Sequence, residues 1–293
     1  MRAGKPSATA LAGAAVRALE SLRPPNARWC FDPLAAAFLE PWHRGLLAAC
    51  AQSPSVRNGV ERILEWRYPG VPMDFICRTR WIDERARRFL NASAQRLLVV
   101  GAGYDTRCLR LEIPGDVECV EVDHPDTQAR KREIASRVAP SRSQSMQWTA
   151  HDLSTAFPST LEARRTFTIV EGVSSYLPLD ATARLLSAIA SLSSPGSELI
   201  FTYVDSDWLA QAYAGADVSG GAIARDLRRK GEPFVSGQTP EAANQLMQKL
   251  GFDVLEDVNE TALARDANAG RKRALSSISG FRLLHACRIG DVR

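Results

Sequence analysis

The sequence predicts an α/β protein built on a doubly wound sheet of seven strands, and three observations predict it. Apolar runs of strand length alternate with helical patterns along most of the chain. The run Leu97-Leu98-Val99-Val100 is continuously apolar, as in a strand covered on both faces. That run meets Gly101-Ala102-Gly103-Tyr104-Asp105-Thr106-Arg107, and a second run, Val117-Glu118-Cys119-Val120-Glu121-Val122, ends at Asp123. Strand, glycine turn, connection, strand and acid together form the layout of an adenosyl-cofactor site at the top of a parallel sheet.

The elements follow in order. Residues 8–22 read as a helix that Pro24 and Pro25 end. Arg2 and Lys5 before the Ala-rich stretch 8–16 loosely resemble a signal peptide. The stretch lacks a Leu-rich centre, and Arg17 and Glu20 interrupt it, so an amphipathic helix start is expected instead. Phe31-Asp32-Pro33 should open a second helix, with Asp32 as N-cap and Pro33 at its first position. A third helix is expected over 72–92, with Phe75, Ile76, Trp81, Ile82 and Phe89 among arginines. These three precede the sheet and are expected to cap its ligand edge. Strands are expected at 96–100, 117–122, 146–150, 167–171, 198–204, 252–258 and 281–288. Helices are expected at 125–138, 180–193 and 240–250. The segment 205–239, rich in Gly and Ala and holding Trp208 and Tyr213, reads either as a mobile lid or as an ordinary surface insertion. One domain results: a helical cap (1–92), a cofactor-binding core (93–204), the lid (205–239) and the C-terminal strands (240–293).

Composition narrows the function. The 293 residues suffice for one large domain or two small ones. Apolar and charged shares of 45% and 24% are those of a soluble globular protein. Net charge is only +4, and the basic clusters at 85–88, 130–132, 228–230 and 271–273 are scattered, so each reads as a solvated helix face or loop, and no nucleic-acid partner is expected. The six cysteines lack C-x-x-C spacing, so neither zinc, nor any other metal, nor a disulfide framework is expected, and a reducing, cytoplasmic setting is. No apolar run approaches the ~20 residues of a membrane span, and no membrane partner is expected.

The site residues have physical reasons. Gly101 and Gly103 lack a Cβ, so the backbone there can turn sharply and lie against a ligand. A carboxylate about 20 residues later suits a ribose, because it accepts from both hydroxyls. Glu121 and Asp123 lie two apart and would share a strand face. The dinucleotide fingerprint needs a third glycine, but Thr106 stands there. A cofactor without a pyrophosphate is therefore expected, and S-adenosylmethionine fits.

Six blocks in order are similar to the leucine carboxyl methyltransferase family, whose bacterial relatives O-methylate polyketides and other natural products. They are Arg17-Ala18-Leu19-Glu20-Ser21 with Phe31-Asp32-Pro33-Leu34-Ala35; Arg78-Thr79-Arg80-Trp81-Ile82-Asp83-Glu84; the 101–107 turn with Leu109-Arg110-Leu111; Glu121-Val122-Asp123-His124-Pro125 with Lys131; Asp152-Leu153; and Glu171-Gly172-Val173 with Tyr176-Leu177 and Pro195-Gly196-Ser197. The resemblance runs over about residues 10–290. It implies a Rossmann-like methyltransferase sheet whose seventh strand is inserted antiparallel. It also implies that Arg78 holds the methionine carboxylate of the cofactor and that Gly101, Ala102 and Gly103 contact it. Asp123 would take the ribose, Asp152 and Leu153 would frame the adenine, and Glu171 would face the amino end. Arg17 would be a further basic residue near the carboxylate.

The residues also carry readings of their own. Arg78 is either a bidentate carboxylate clamp or a helix-surface charge. Glu121 is an extra ligand or a partner for a nearby arginine. Asp152 meets the adenine amine or caps the turn 154–157. Glu171, an acid ending a buried strand, requires a partner, which a cationic amino group or sulfonium would supply. Asp105 and Arg107 are expected to pair and to hold the turn in shape. Tyr176 and Tyr203 are pocket donors or core residues, and His124 and His151 are candidate bases or structural edge residues.

The leading expectation is an S-adenosylmethionine-dependent O-methyltransferase acting on a small-molecule hydroxyl or carboxylate. The alternatives are a protein C-terminal carboxyl methyltransferase, a nicotinamide-dependent oxidoreductase, and a cofactor-binding module without turnover.

Overall fold

The computed structural model describes residues 7–92, 94–155, 157–158, 161–269, 276–278 and 280–290. Helices α1 (Ala8–Ser21), α2 (Pro41–Gln52), α3 (Pro54–Arg67) and α4 (Val71–Leu90) come first. The core then runs β1 (Arg96–Val100), α5 (Arg107–Arg110), β2 (Glu118–Asp123), α6 (Pro125–Val138), α7 (Pro140–Ser145), β3 (Gln147–Ala150), β4 (Thr166–Val170), α8 (Leu179–Ser191) and β5 (Glu198–Val204). Helices α9 (Ser206–Ala214), α10 (Val218–Lys230) and α11 (Pro240–Lys249) follow, then β6 (Phe252–Asn259), α12 (Glu260–Asn268) and β7 (Phe281–Arg288).

The seven strands lie in the order β3-β2-β1-β4-β5-β7-β6. Strands β1 to β5 pair in parallel, and β7 runs antiparallel between β5 and β6. The expected sheet and its reversed final strand are therefore present. The chain leaves β1 toward β2 on one side and returns to β4 on the other, so the order reverses around β1. Ligands of open α/β sheets bind at such a point. Register aligns the tips there, since Val100 pairs with both Val122 and Val170.

Alternation within β1 explains why the sheet is covered on both faces. Leu97 and Val99 join the core shared with α1 and α4, whereas Leu98 and Val100 join the one shared with α8 and α11. All four are essentially inaccessible, and burial of each side chain stabilises the fold by about 1.5–3 kcal/mol before the entropy cost.

The helical reading needs correction in two places. No α-helix starts at Pro33. The Asp32 side chain accepts from the Leu34 and Ala35 amides, but what it caps is a single 3-10 turn, Ala35–Phe38. Beyond it stand α2 and α3, which the expected elements omitted. Among the basic clusters, Lys131 and Arg85 point inward, to Glu121 and Glu256, and are not part of a solvated face. The 271–273 cluster lies outside the described residues. The segment 205–239 holds α9 and α10. Among the described residues no helix is long and apolar enough to cross a membrane, and no group of three or more His, Cys, Asp or Glu could hold a metal ion.

Candidate active site

A cleft of about 510 Å³ opens over the carboxyl ends of β1, β2 and β4. Its floor is the turn after β1. Gly101 and Gly103 have φ of 65° and 46°, a region that favours glycine, and a Cβ on Gly101 would run into Val173 Cγ2. Asp123 at the tip of β2 locks this turn. Its Oδ2 accepts the Gly103 amide at 2.7 Å and its Oδ1 accepts the His124 amide at 2.7 Å. Burial nevertheless pushes its carboxyl above the ordinary range.

Glu171, just past β4, lies between two arginines. Its Oε1 accepts Arg78 Nε at 2.7 Å and its Oε2 accepts Arg107 Nη1 at 2.7 Å. Burial alone would raise this carboxyl, but Arg107 and Arg78 outweigh it and bring it down to about 2. The partner that a buried acid requires is thus already supplied within the chain. Arg78 also reaches Asp74, one helical turn earlier, at 3.1 Å, while its Nη2 has no partner among the described residues. The clamp reading of Arg78 suits this better than a surface charge, because the residue is buried at the cleft wall. Arg107 pairs with Asp105, as expected for a brace of the turn.

Asp152 and Leu153 line the far end. Asp152 Oδ1 accepts the Ser154 amide and hydroxyl, at 2.9 and 2.7 Å, which lowers its carboxyl. It therefore caps the turn, and its Oδ2 takes no hydrogen bond among the described residues. Ala102 also lines the cleft.

Other sequence candidates stand elsewhere. Glu121 is outside the cleft, one residue pair down β2, with Lys131 Nζ at 2.7 Å. It does have a cationic partner, but that partner is a lysine and not an arginine. Tyr203 is also outside, because its hydroxyl donates across the antiparallel strands to Asp257 at 2.6 Å and accepts from Arg282. His151 does not line the cleft, and its ring nitrogen meets Thr155 Oγ1 at 3.2 Å. His124 lines the cleft as the N-cap of α6. Arg17 lines it too, but its guanidinium is committed to Asp32 at 2.8 Å and the Tyr104 carbonyl at 2.6 Å.

Tyr176 reaches the cleft, and its hydroxyl meets Thr9 Oγ1 at 3.0 Å. Thr9 belongs to a set that sequence reasoning missed. Glu232, in the connection after α10, accepts the Ala8 amide at 2.8 Å, the Thr9 amide at 3.2 Å and Thr9 Oγ1 at 2.9 Å. A carboxylate there complements the positive end of α1. The contact joins residues 223 positions apart, and no local pattern marks it.

A family model described as leucine carboxyl methyltransferase matches residues 10–190. A Frankia alni protein named as an S-adenosyl-L-methionine-dependent methyltransferase is 33% identical over 214 residues, 69% of this chain and 70% of its own. Another protein of that name from the same organism is 29% identical over 202 residues, 67% and 68% of the two chains. Two solved structures share the fold. A Thermobifida fusca protein superposes with a TM-score of 0.54 at 16% identity, over 99% of this chain and 97% of its own. A Bordetella parapertussis protein gives 0.55 at 15%, over 98% of each.

Proposed function

Because the chain belongs to the leucine carboxyl methyltransferase family and is a methyltransferase that uses S-adenosylmethionine, we propose that it methylates an oxygen of a small-molecule acceptor, a hydroxyl or a carboxylate. The residues of the cleft fit that cofactor. Its volume suits a small-molecule site, and a Cβ on Gly172 would meet nothing within 4 Å, so the wall leaves room. Arg78 Nη2 and Asp152 Oδ2 are polar atoms at the cleft with no hydrogen-bond partner in the protein.

In this reading Asp123 takes the ribose hydroxyls, Leu153 packs on the adenine and Asp152 accepts its amine. Arg78 holds the carboxylate of the methionine part, and Glu171 faces its ammonium. The backbone of Gly101, Ala102 and Gly103 lies against the nucleoside. When bound, the cofactor supplies a methyl group already activated by its sulfonium. The protein's task is then to align the acceptor oxygen and to exclude water.

The observation that carries the acceptor class is the roof over the cleft. Thr9 and Glu232, from α1 and from the 205–239 segment, close over Tyr176 within a volume that must hold cofactor and acceptor together. This supports the lid reading of 205–239 and a small acceptor. Arg17, Arg78 and Arg107 are already engaged by carboxylates, so the roofed end offers hydroxyl groups and an acid. That chemistry favours a hydroxyl acceptor over a carboxylate. Tyr176 is the donor or acceptor nearest to hand for orienting it. A cytoplasmic setting agrees with six free cysteines.

An acceptor screen with methyl-labelled cofactor tests the proposal. Small phenols, alcohols and carboxylic acids are offered beside peptides with free C-termini. Base-stable label on a small hydroxyl compound is expected. Base-labile label would indicate an ester, and label confined to peptide C-termini would overturn the small-molecule reading. Calorimetry that shows nicotinamide-dinucleotide binding and no S-adenosylmethionine binding would overturn the cofactor.

A further inference from the structure

Glu260 opens α12 and is 1% exposed, yet neither of its carboxyl oxygens accepts a hydrogen bond from the protein. It lies behind Arg78, with Oε1 3.6 Å from Nη1. Nη1 also meets Asp74 at 3.1 Å, and Nε meets Glu171 at 2.7 Å. Three carboxyl groups therefore crowd one guanidinium. The groups facing Glu260 are Asp74, Cys77 and Arg78 from α4 and Glu171 from the tip of β4. An ionised carboxylate at this depth without a donor is costly, whereas two neighbouring carboxyls that share one proton satisfy each other.

We propose that Glu260 is a positioning residue for cofactor capture. As the neutral acid it donates its proton in a hydrogen bond to the Asp74 carboxylate, and the pair anchors Arg78 Nη1. Nη2 then stays turned to the cleft for the carboxylate of the cofactor. The proton remains on Glu260 throughout, and no group is consumed. Burial, reinforced by the Asp74 charge, holds the Glu260 carboxyl well above the usual carboxylate range. At alkaline pH it ionises, adds a negative charge beside Arg78 and weakens cofactor binding.

This inference rests on the cofactor reading above, and the experiment separates the two. S-adenosylhomocysteine binding is measured by calorimetry from pH 7 to about 10 for the wild type, Glu260→Gln and Glu260→Ala. The ligand's own ammonium titrates equally in all three. Glu260→Gln, neutral and of the same shape, is expected to bind at pH 7 within about threefold of wild type and to fall less steeply toward alkaline pH. Glu260→Ala frees Asp74 and is expected to bind about tenfold more weakly, the scale of one charge-assisted hydrogen bond. Infrared difference spectra at pH 7 should show a protonated-carboxyl band in the wild type that Glu260→Gln lacks. That readout holds even where Glu260→Ala does not fold. An alkaline profile in Glu260→Gln identical to wild type, or no such band, overturns the inference alone. No binding by the wild type at any pH sinks the cofactor reading and the inference with it.

Discussion

The Asp123 carboxylate accepts the Gly103 amide across a separation of 20 residues, at 2.7 Å. One acid thus has two tasks: it holds the glycine turn against the tip of β2, and it presents an oxygen to the cleft. Asp123→Ala is expected to weaken S-adenosylmethionine binding by roughly 1–3 kcal/mol, the scale of losing hydrogen bonds to a charged group. Asp123→Asn, which keeps an oxygen for the Gly103 amide, should lose less. Calorimetry on folded variants checks this, and unchanged affinity in Asp123→Ala would remove the ribose assignment.

Glu171 predicts an acid-dependent stability. Its carboxyl is brought from 4.5 to about 2 in the folded protein. A depressed acid stabilises the fold above its unfolded value, and that contribution fades as pH falls through the folded one. The thermal midpoint of the wild type should therefore drop between about pH 4.5 and 2. Glu171→Gln should start lower at pH 7, by about 3 kcal/mol for a broken buried pair, and fall less over that window. Parallel acid slopes for the two proteins would contradict this.

Lys131 and Glu121 form a buried pair at 2.7 Å, away from the cleft. Lys131→Met leaves a buried acid without its cation and should cost about 3–5 kcal/mol in urea unfolding. Burial already lifts the Glu121 carboxyl to about 7. Replacing both residues, by Glu121→Leu with Lys131→Met, should recover most of the loss. A double variant as unstable as the single one would show that the lysine matters for packing and not for charge.

Glu232 ties the 205–239 segment to the first turn of α1. Glu232→Ala should cost about 0.5–2 kcal/mol, as loss of a helix N-cap does. Amide exchange at Ala8 and Thr9 should speed up, and KM for the acceptor should rise more than kcat falls. Protection at those amides equal to wild type would show that the roof is held by other contacts.

What was legible in the sequence was what is local. The run 97–100, its glycines and Asp123 lie within 27 residues, and each type has one physical reason to be there. The strand 281–288 was legible as an apolar run and is present as expected. Helix α3 escaped because none of its residues is buried, so it has no inward apolar stripe to reveal a helical period. Tyr203 read as a pocket residue because it ends a strand near the ligand edge. Its hydroxyl goes instead to Asp257, 54 positions on, a pairing only the antiparallel insertion creates. Glu232 and Glu260 were invisible for the same reason: their partners, Thr9 and Asp74, are brought to them by tertiary packing.

The place of β7 between β5 and β6 has a consequence for biosynthesis. Strand β6 borders no other strand, so its eight residues find a neighbour only after 281–288 have left the ribosome. The half of the sheet bearing β1 to β4 can assemble during translation, while the opposite margin waits for the last stretch of chain. A nascent polypeptide stalled before Phe281 would show β5 and β6 with open hydrogen-bonding edges, the condition under which strands recruit foreign partners.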